Sequence, residues 1–101
     1  MTYHTIIRPE AEQDLQNAFT WYQEARLGLG YDVLLQVEAG LQFIERNPDA
    51  HPSEYKGTRK HVIKRFPYKI MYRVEIDHII ILAVIHGSRN PTVSKRRADH
   101  P

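Results

Sequence analysis

The stretch YKIMYRVEIDHIIILAVIH, residues 68–86, decides the fold because each of its halves predicts a β-strand. Apolar and polar side chains alternate in the first half, which is the pattern of a strand with one buried face. The apolar face carries Tyr68, Ile70, Tyr72 and Val74, and the opposite face carries Lys69, Met71, Arg73 and Glu75. Residues 79–86 are apolar on both faces, which is typical of a central, covered strand. With a turn at Asp77-His78, the stretch predicts two neighbouring antiparallel strands.

Upstream of this stretch, KHVIKRF at residues 60–66 alternates in the same way and predicts a further strand. Pro67 follows it and indicates a bend or a tight connection, since proline cannot donate to a strand ladder. Residues 48–58 are rich in Pro, Ser, Asp and Gly and predict a loop. The three strands are therefore expected to form an antiparallel meander.

The N-terminal half has the periodicity of helices rather than strands. Residues 9–28 open with proline and acidic residues, a favourable helix start, and then repeat apolar residues at spacings of three and four. The sequence LGLG at residues 27–30 predicts a turn. A second amphipathic helix is predicted over about residues 30–47, and Asn47-Pro48 ends it. Two helices joined by so short a turn predict a helical hairpin.

The order of these elements predicts an α+β fold. A β-prone stretch at residues 3–8 gives an N-terminal strand, the helical hairpin follows, and the three-stranded antiparallel meander completes the sheet. The helices are expected to pack on one face of the sheet. The tail from Pro91 onward is predicted to be a short helix or mobile. The length of 101 residues is that of a single domain, residues 1–101.

Composition excludes several kinds of site. The chain has no cysteine, which excludes disulfides, thiolate zinc sites and cysteine nucleophiles. The longest apolar run, residues 79–85, is far shorter than the roughly 20 residues of a membrane-spanning helix. The N-terminus lacks a signal-peptide pattern. These features predict a cytoplasmic protein that does not engage membranes.

The net charge of +2 conceals a strong asymmetry. Residues 10–54 carry nine acidic and two basic residues, and residues 55–98 carry eleven basic and two acidic residues. The first segment therefore has a net charge of −7 and the second of +9. Such a distribution indicates that the C-terminal half meets nucleic acid or an acidic protein segment. The alternative is that the two halves attract each other within the fold.

Residues 56–73 interleave seven basic residues with aromatic ones and contain no acid. Basic groups can hold phosphate and rings can stack on bases, so the stretch is a candidate contact surface. Packing in the core is the favoured interpretation for Tyr68 and Tyr72. The predicted phosphate- or partner-binding residues are Arg59, Lys60, Lys64, Arg65, Lys69 and Arg73, together with Arg96 and Arg97 of the tail.

His86 and Arg89, at the end of the last strand, are the candidate catalytic residues. An imidazole titrates near neutral pH and can act as base or acid, and a guanidinium can hold a phosphate. The alternative is a hydrogen-bonded structural histidine. His51 and His61 lie ten residues apart across a loop, without metal-ligand spacing. No metal and no cofactor are expected.

Four blocks of the sequence together resemble the RelE/ParE superfamily of bacterial toxins. They are RPEAEQDLQNAFTWYQ in the first helix, FIERNPDAHP at the close of the second, RKHVIKRFPYKIMYRV in the sheet, and LAVIHGSRNP followed by Arg97. The resemblance implies a toxin of a type II toxin–antitoxin pair, and it is nearer to the ParE-like plasmid-stabilisation members. It also implies a cognate antitoxin with a C-terminal segment rich in acidic and apolar residues, which fits the positive half of the chain.

The resemblance leaves the target of the toxin open between two classes. ParE-like members inhibit DNA gyrase by protein contact and have no catalytic residues. RelE-like members are metal-independent endoribonucleases that cut mRNA on the ribosome, and here His86 and Arg89 would be the catalytic residues. A RelE-like tyrosine is expected four or five residues after Arg89, where this chain has Val93 and Ser94. This difference favours the gyrase inhibitor. A third hypothesis is an inactive basic binding module derived from such a toxin.

Overall fold

A computed structural model describes residues 3–87 and 91–99. It contains four strands, three α-helices and a short 3-10 helix at Tyr55–Gly57. The strands are β1 (His4–Ile7), β2 (Thr58–Val62), β3 (Tyr68–Val74) and β4 (His78–His86). The helices are α1 (Pro9–Ala25), α2 (Leu29–Arg46) and α3 (Pro91–Asp99). The predicted α+β class and the order of strand, helical hairpin and meander are confirmed.

The four strands form one mixed sheet in the order β1-β4-β3-β2. β2, β3 and β4 are antiparallel neighbours, as the meander requires, and β1 is parallel to β4. β4 is therefore a central strand, which agrees with its lack of polar alternation. β1 is short, and its ladder with β4 ends at the pair Ile7 and Ile81. Among the described residues, no strand lies beside the remainder of β4 on that side.

A bulge in β4 decides which residues face the helical hairpin. Met71 pairs with Ala83 while the next residue of β3, Tyr72, pairs with Ile81, so β4 has one extra residue, Leu82, at this point. The extra residue reverses the alternation along β4. Residues packed in the core with the helical hairpin include Ile79, Ile81 and Val84, whereas the opposite face carries Ile80, Leu82, Ala83 and Ile85.

The helical hairpin is held closely together at the turn predicted by LGLG. Gly28 has φ 94, a backbone conformation that glycine adopts without strain. The side-chain oxygen of Gln23 accepts hydrogen bonds from the backbone N–H groups of Gly28 and Gly30, at 3.1 and 3.0 Å. At Gly30 a Cβ atom would lie 2.7 Å from the backbone oxygen of Phe19, so α1 and α2 approach there to a distance that only glycine permits.

Replacing Gly30 with alanine is expected to lower the free energy of unfolding by about 1–2 kcal/mol. The added methyl group must displace the α1 backbone, and this cost exceeds the gain in helix propensity. Urea unfolding followed by circular dichroism measures the change. Glu38→Ala, at an exposed position of the same helix, is the control and should leave stability nearly unchanged. Equal stability of the Gly30→Ala variant and the unmodified chain would contradict the close approach.

The tail forms α3, and this helix covers part of the sheet face opposite the helical hairpin. Met71 is 1% exposed although it lies on the face of β3 opposite the predicted apolar face. Ala98 of α3 is also buried. Both residues line one cavity between α3 and the sheet. Helices therefore lie on both faces, the hairpin on one and α3 on the other. The expectation that the helices pack on one face holds for α1 and α2 but not for α3. The tail had been predicted to be either a short helix or mobile, and residues 91–99 form a helix.

β2 differs from its predicted bounds at both ends. It begins at Thr58, inside the predicted loop, and ends at Val62, before the Lys64-Arg65 pair that the alternation had included. The chain turns at these residues, where Arg65 has φ 71 and is incompatible with a strand. The described chain contains no cis peptide bond, so Pro67 is trans and makes the predicted tight connection.

Candidate functional site

The register of the sheet divides the predicted basic residues between its two faces. Arg59 pairs with Tyr72, so its side chain lies on the face of the helical hairpin. Lys60 pairs with Met71 and Lys69 with Ile85, so both lie on the opposite face, where Arg73 pairs with Ile80. Lys64 and Arg65 are exposed in the turn between β2 and β3. The basic stretch is therefore not a single surface.

Arg59 is held by the loop between α2 and β2. Its guanidinium donates a hydrogen bond to the backbone oxygen of His51 and lies 3.6 Å from a carboxylate oxygen of Asp49. The same loop accepts a hydrogen bond at the backbone oxygen of Pro48 from the Tyr72 hydroxyl, at 3.0 Å. Burial raises the pKa of Tyr72 above its ordinary value. Tyr72 is fully buried, which confirms its predicted role in the core.

Three further candidates also have partners within the chain. Lys60 lies 3.5 Å from the Glu54 carboxylate, and Arg65 lies 3.8 Å from that of Asp32. Arg73 donates to the backbone oxygens of Lys56, at 3.0 Å, and of Ala98, at 2.7 Å. The Lys60–Glu54 and Arg65–Asp32 ion pairs are partly exposed to solvent, so each contributes little to stability. A partner carboxylate can therefore compete for Lys60 and Arg65, whereas Arg73 fastens α3 to the sheet.

Arg97 is the most firmly engaged of the predicted residues. Its guanidinium makes two hydrogen bonds to the Asp14 carboxylate, at 2.8 and 2.9 Å, and one to the backbone oxygen of Leu82, at 3.0 Å. Asp14 in turn accepts from the backbone N–H of Val84, at 3.0 Å. The bond to Asp14 raises the pKa of Arg97. Together, the Asp14 and Arg97 side chains form hydrogen bonds with backbone groups of β4, the N–H of Val84 and the oxygen of Leu82, beyond the end of its ladder with β1.

The remaining three candidates have no ion pair within the described ranges. They are Lys64, Lys69 and Arg96. Lys64 and Arg96 are exposed, and Lys69 is half-buried on the sheet face beside Val62, which is 62% exposed. Lys64 and Lys69 belong to neighbouring parts of the β2–β3 hairpin. These two ammonium groups are therefore available to an anionic partner.

Ion pairs between the acidic and basic halves account for part of the charge asymmetry. Such pairs join Asp14 to Arg97, Asp32 to Arg65, Asp49 to Arg59 and Glu54 to Lys60. The halves thus attract each other within the fold, as one of the two interpretations expected. The unpaired Lys64 and Lys69 leave positive charge for a partner as well.

His86 is placed by packing against aromatic residues. Its ring meets the ring of Tyr68 edge to face at 5.3 Å, and Tyr68 packs in turn against Tyr22. The ring of Tyr22 also meets Phe66 at 5.1 Å. The candidate catalytic partner Arg89 lies outside the described residues. The geometry of a His86–Arg89 pair is therefore not part of this structure.

A cavity of about 240 Å³ lies between α3 and the sheet. Tyr55 and Lys60 line it on the sheet side, and Ser94 and Lys95 line it on the α3 side. The hydroxyl of Tyr55 donates to Asp99 at 2.6 Å, which ties the end of α3 to the short 3-10 helix. This bond raises the pKa of Tyr55 and lowers that of Asp99. The cavity walls thus depend on the docking of α3.

The helical hairpin exposes an apolar surface that the sequence analysis did not single out. Tyr31 and Leu35 of α2 are 59% and 66% exposed, and the ring of Tyr31 meets Phe19 of α1 edge to face at 5.0 Å. Glu12 and Glu38 lie beside these residues. Tyr31 and Leu35 do not belong to the buried apolar stripe of α2. Apolar residues outside that stripe were the signal in the sequence that could have predicted this surface. Such a patch is typical of a protein–protein contact.

Within residues 3–87 and 91–99, no group of three or more His, Cys, Asp or Glu side chains is arranged to hold a metal ion. No helix there combines the length and the apolar character needed to cross a membrane.

Comparisons with known proteins agree with one another. A family model described as "ParE toxin of type II toxin-antitoxin system, parDE" matches residues 5–91. A protein named Toxin ParE2, from Mycobacterium tuberculosis strains CDC 1551 / Oshkosh and ATCC 25618 / H37Rv, is 32% identical over 94 residues, covering 90% of this chain and 88% of the relative. A solved structure of the chromosomal ParDE TA system from P. aeruginosa superposes with a TM-score of 0.74 at 20% identity, covering 84% of this chain and 96% of the other.

Proposed function

Because this chain belongs to the ParE toxin family of type II toxin–antitoxin systems, we propose that it inhibits DNA gyrase by direct protein contact. The match to the family model over residues 5–91 is the observation that carries this proposal. The chain is the toxin of its pair, and its activity is held in check by an antitoxin. The proposed location is the cytoplasm, where gyrase acts.

The composition of α3 supports gyrase over mRNA as the target. RNA cleavage by the 2′-hydroxyl needs groups that accept and donate a proton. Val93 and Ser94 of α3 stand where the ribonuclease members resembled by this chain carry a tyrosine. Valine cannot transfer a proton, and an unassisted serine is a poor acid or base at neutral pH. A gyrase inhibitor that acts by contact needs neither group.

The two surfaces described above support an antitoxin segment of mixed character. The unpaired Lys64 and Lys69 favour acidic residues, and the apolar surface around Tyr31 and Leu35 favours apolar ones. The proposed partner is therefore a cognate antitoxin whose C-terminal segment is acidic and apolar. Arg59, Arg73 and Arg97 are proposed to contribute through the fold, since each makes hydrogen bonds within the chain. Lys60 and Arg65 are proposed to exchange their partly exposed ion pairs for carboxylates of the partner, and the exposed Arg96, which has no ion pair among the described residues, is proposed as a further contact.

A supercoiling assay with purified gyrase tests the proposed target. The free chain in molar excess should reduce the ATP-dependent supercoiling of a relaxed plasmid, and the cognate antitoxin should restore it. A type I topoisomerase assayed with the same preparation is the control and should not be affected. Full supercoiling in the presence of a large excess of folded chain would contradict gyrase as the target.

A further inference from the structure

The loop between α2 and β2, residues 47–57, is fastened to the sheet by a pair of histidines. Nε2 of His51 in the loop lies 2.9 Å from Nδ1 of His61 in β2, which is hydrogen-bond distance. The two rings are tilted by 55° with their centroids 5.1 Å apart. The sequence gives these residues no metal-ligand spacing, and their role is not explained by the proposed function.

The histidine pair is packed against α2. The ring of Phe43 stacks on His61, with centroids 4.9 Å apart and planes at 22°, and it also contacts the ring of His51 at 5.8 Å. At Gly40 the helix comes so close to the sheet that a Cβ atom would lie 3.1 Å from Cδ2 of His61. The pair is therefore held between a helix and a loop, with restricted access to water.

A hydrogen bond between two imidazoles needs a proton on one of the facing nitrogens and a lone pair on the other. Neutral rings satisfy this condition, and so does a pair with a single positive charge. When both rings are protonated, both facing nitrogens carry hydrogen, so the bond is lost and two like charges lie side by side. The pair can therefore hold the loop only while at least one imidazole is neutral.

We propose that His51 and His61 form a proton-sensitive latch, which holds residues 49–54 of the loop against β2 at neutral pH and releases them in acid. The charged and titratable groups around the pair are Arg59 of β2, which donates to the backbone oxygen of His51, Asp49 of the loop, which pairs with Arg59, and Tyr72 of β3, which donates to the backbone oxygen of Pro48. α2 contacts it through Phe43 and Gly40, which are uncharged. Asp49 is paired with Arg59, so its charge does not offset the second proton of the histidine pair.

The direction of the pH effect follows from the pKa of His61 in the folded state. Burial lowers the pKa of His61 below its ordinary value of 6.5, and the neighbouring His51 lowers it further. In unfolded chains histidine keeps its ordinary pKa, so acid favours states in which the pair is open. The stabilisation is therefore complete above about pH 6.5 and is lost as the pH falls through the lowered pKa of His61. The latch does not depend on the partner or target of the chain.

Hydrogen exchange of two loop amides tests the latch on the intact chain. The backbone N–H of Ala50 donates to Asn47 and that of Glu54 donates to Thr58, so both amides report on the closed loop. After correction for the intrinsic exchange rate, their protection should fall several-fold between pH 7.5 and pH 5.5, because the second proton on the pair favours the open loop. Amides in the middle of β3 should change much less.

Two variants separate the latch from a general loss of stability. His61→Phe keeps a ring against Phe43 and cannot take a proton, and His51→Gln removes one imidazole at the loop without touching the core. In His61→Phe the protection of Ala50 and Glu54 should no longer depend on pH, and in His51→Gln, which keeps the buried His61, the fall should be smaller than in the wild type. His78→Gln, at the start of β4, is the control and should keep the wild-type response. A pH-independent wild type, or a fall in either variant as large as that of the wild type, would overturn the latch.

Discussion

Replacing Arg97 with alanine is expected to lower the free energy of unfolding by about 2–3 kcal/mol, because three hydrogen bonds of a largely buried ion pair are lost. Asp14 would remain as a carboxylate that is 17% exposed, with its charge uncompensated. The backbone oxygen of Leu82 would lose the guanidinium donor that closes the open side of β4. α3 would also lose its attachment to α1.

Urea unfolding followed by circular dichroism measures this loss of stability. Arg96→Ala is a matched control, since Arg96 is the exposed neighbour in the same helix and should change stability by less than about 0.5 kcal/mol. Arg97→Lys should fall between the two, because an ammonium group cannot make the paired contact with Asp14. If Arg97→Ala and Arg96→Ala unfold at the same urea concentration, the ion pair does not stabilise the fold.

Reversing the charge of Lys64 and Lys69 together is expected to weaken binding of the antitoxin by about 10- to 100-fold. Both ammonium groups lack an ion pair within residues 3–87 and 91–99, so replacing them with glutamate turns attraction into repulsion without breaking an ion pair inside the fold. The loss should appear mainly in the association rate, and it should shrink as salt screens the charges.

Surface plasmon resonance with the C-terminal half of the antitoxin measures this effect, and the antitoxin is sought in the reading frame beside that of the toxin. Arg46→Glu is the control, since it reverses an exposed basic residue at the C-terminal end of α2, opposite the end where Asp32 pairs with Arg65 of the β2–β3 turn. It should alter the affinity much less than the double reversal. Equal affinities for the double variant and the wild type would remove Lys64 and Lys69 from the proposed contact surface.

The sequence predicted the elements of the fold well because each depends on local patterns. The apolar run of β4 and the alternation in β3 required no knowledge of distant residues, and Asn47-Pro48 ended α2 where expected. The family resemblance, confirmed by the match over residues 5–91, added the assignment as the toxin of a toxin–antitoxin pair. The strands, helices and turns follow from periodicity and from turn residues alone, whereas the function was implied only by the resemblance.

The features that the sequence did not predict arise from contacts between distant residues. Asp14 and Arg97 are 83 positions apart, so Arg97 was assigned to a partner surface although it closes the edge of β4. The end of β2 was missed because Arg65 adopts φ 71, a conformation that its residue type does not favour. Likewise, His51 and His61 are ten positions apart in the sequence, and their spacing did not indicate the direct hydrogen bond between them.

Pulse labelling after induced expression of this chain alone in bacteria tests the central claim most directly. Inhibition of gyrase predicts that incorporation of labelled thymidine falls first, with a DNA-damage response, while incorporation of labelled amino acids continues. Rapid loss of amino-acid incorporation with DNA synthesis intact would contradict the claim and indicate mRNA cleavage. His86→Ala and Arg89→Ala would then be the variants to compare with the wild type at equal protein level.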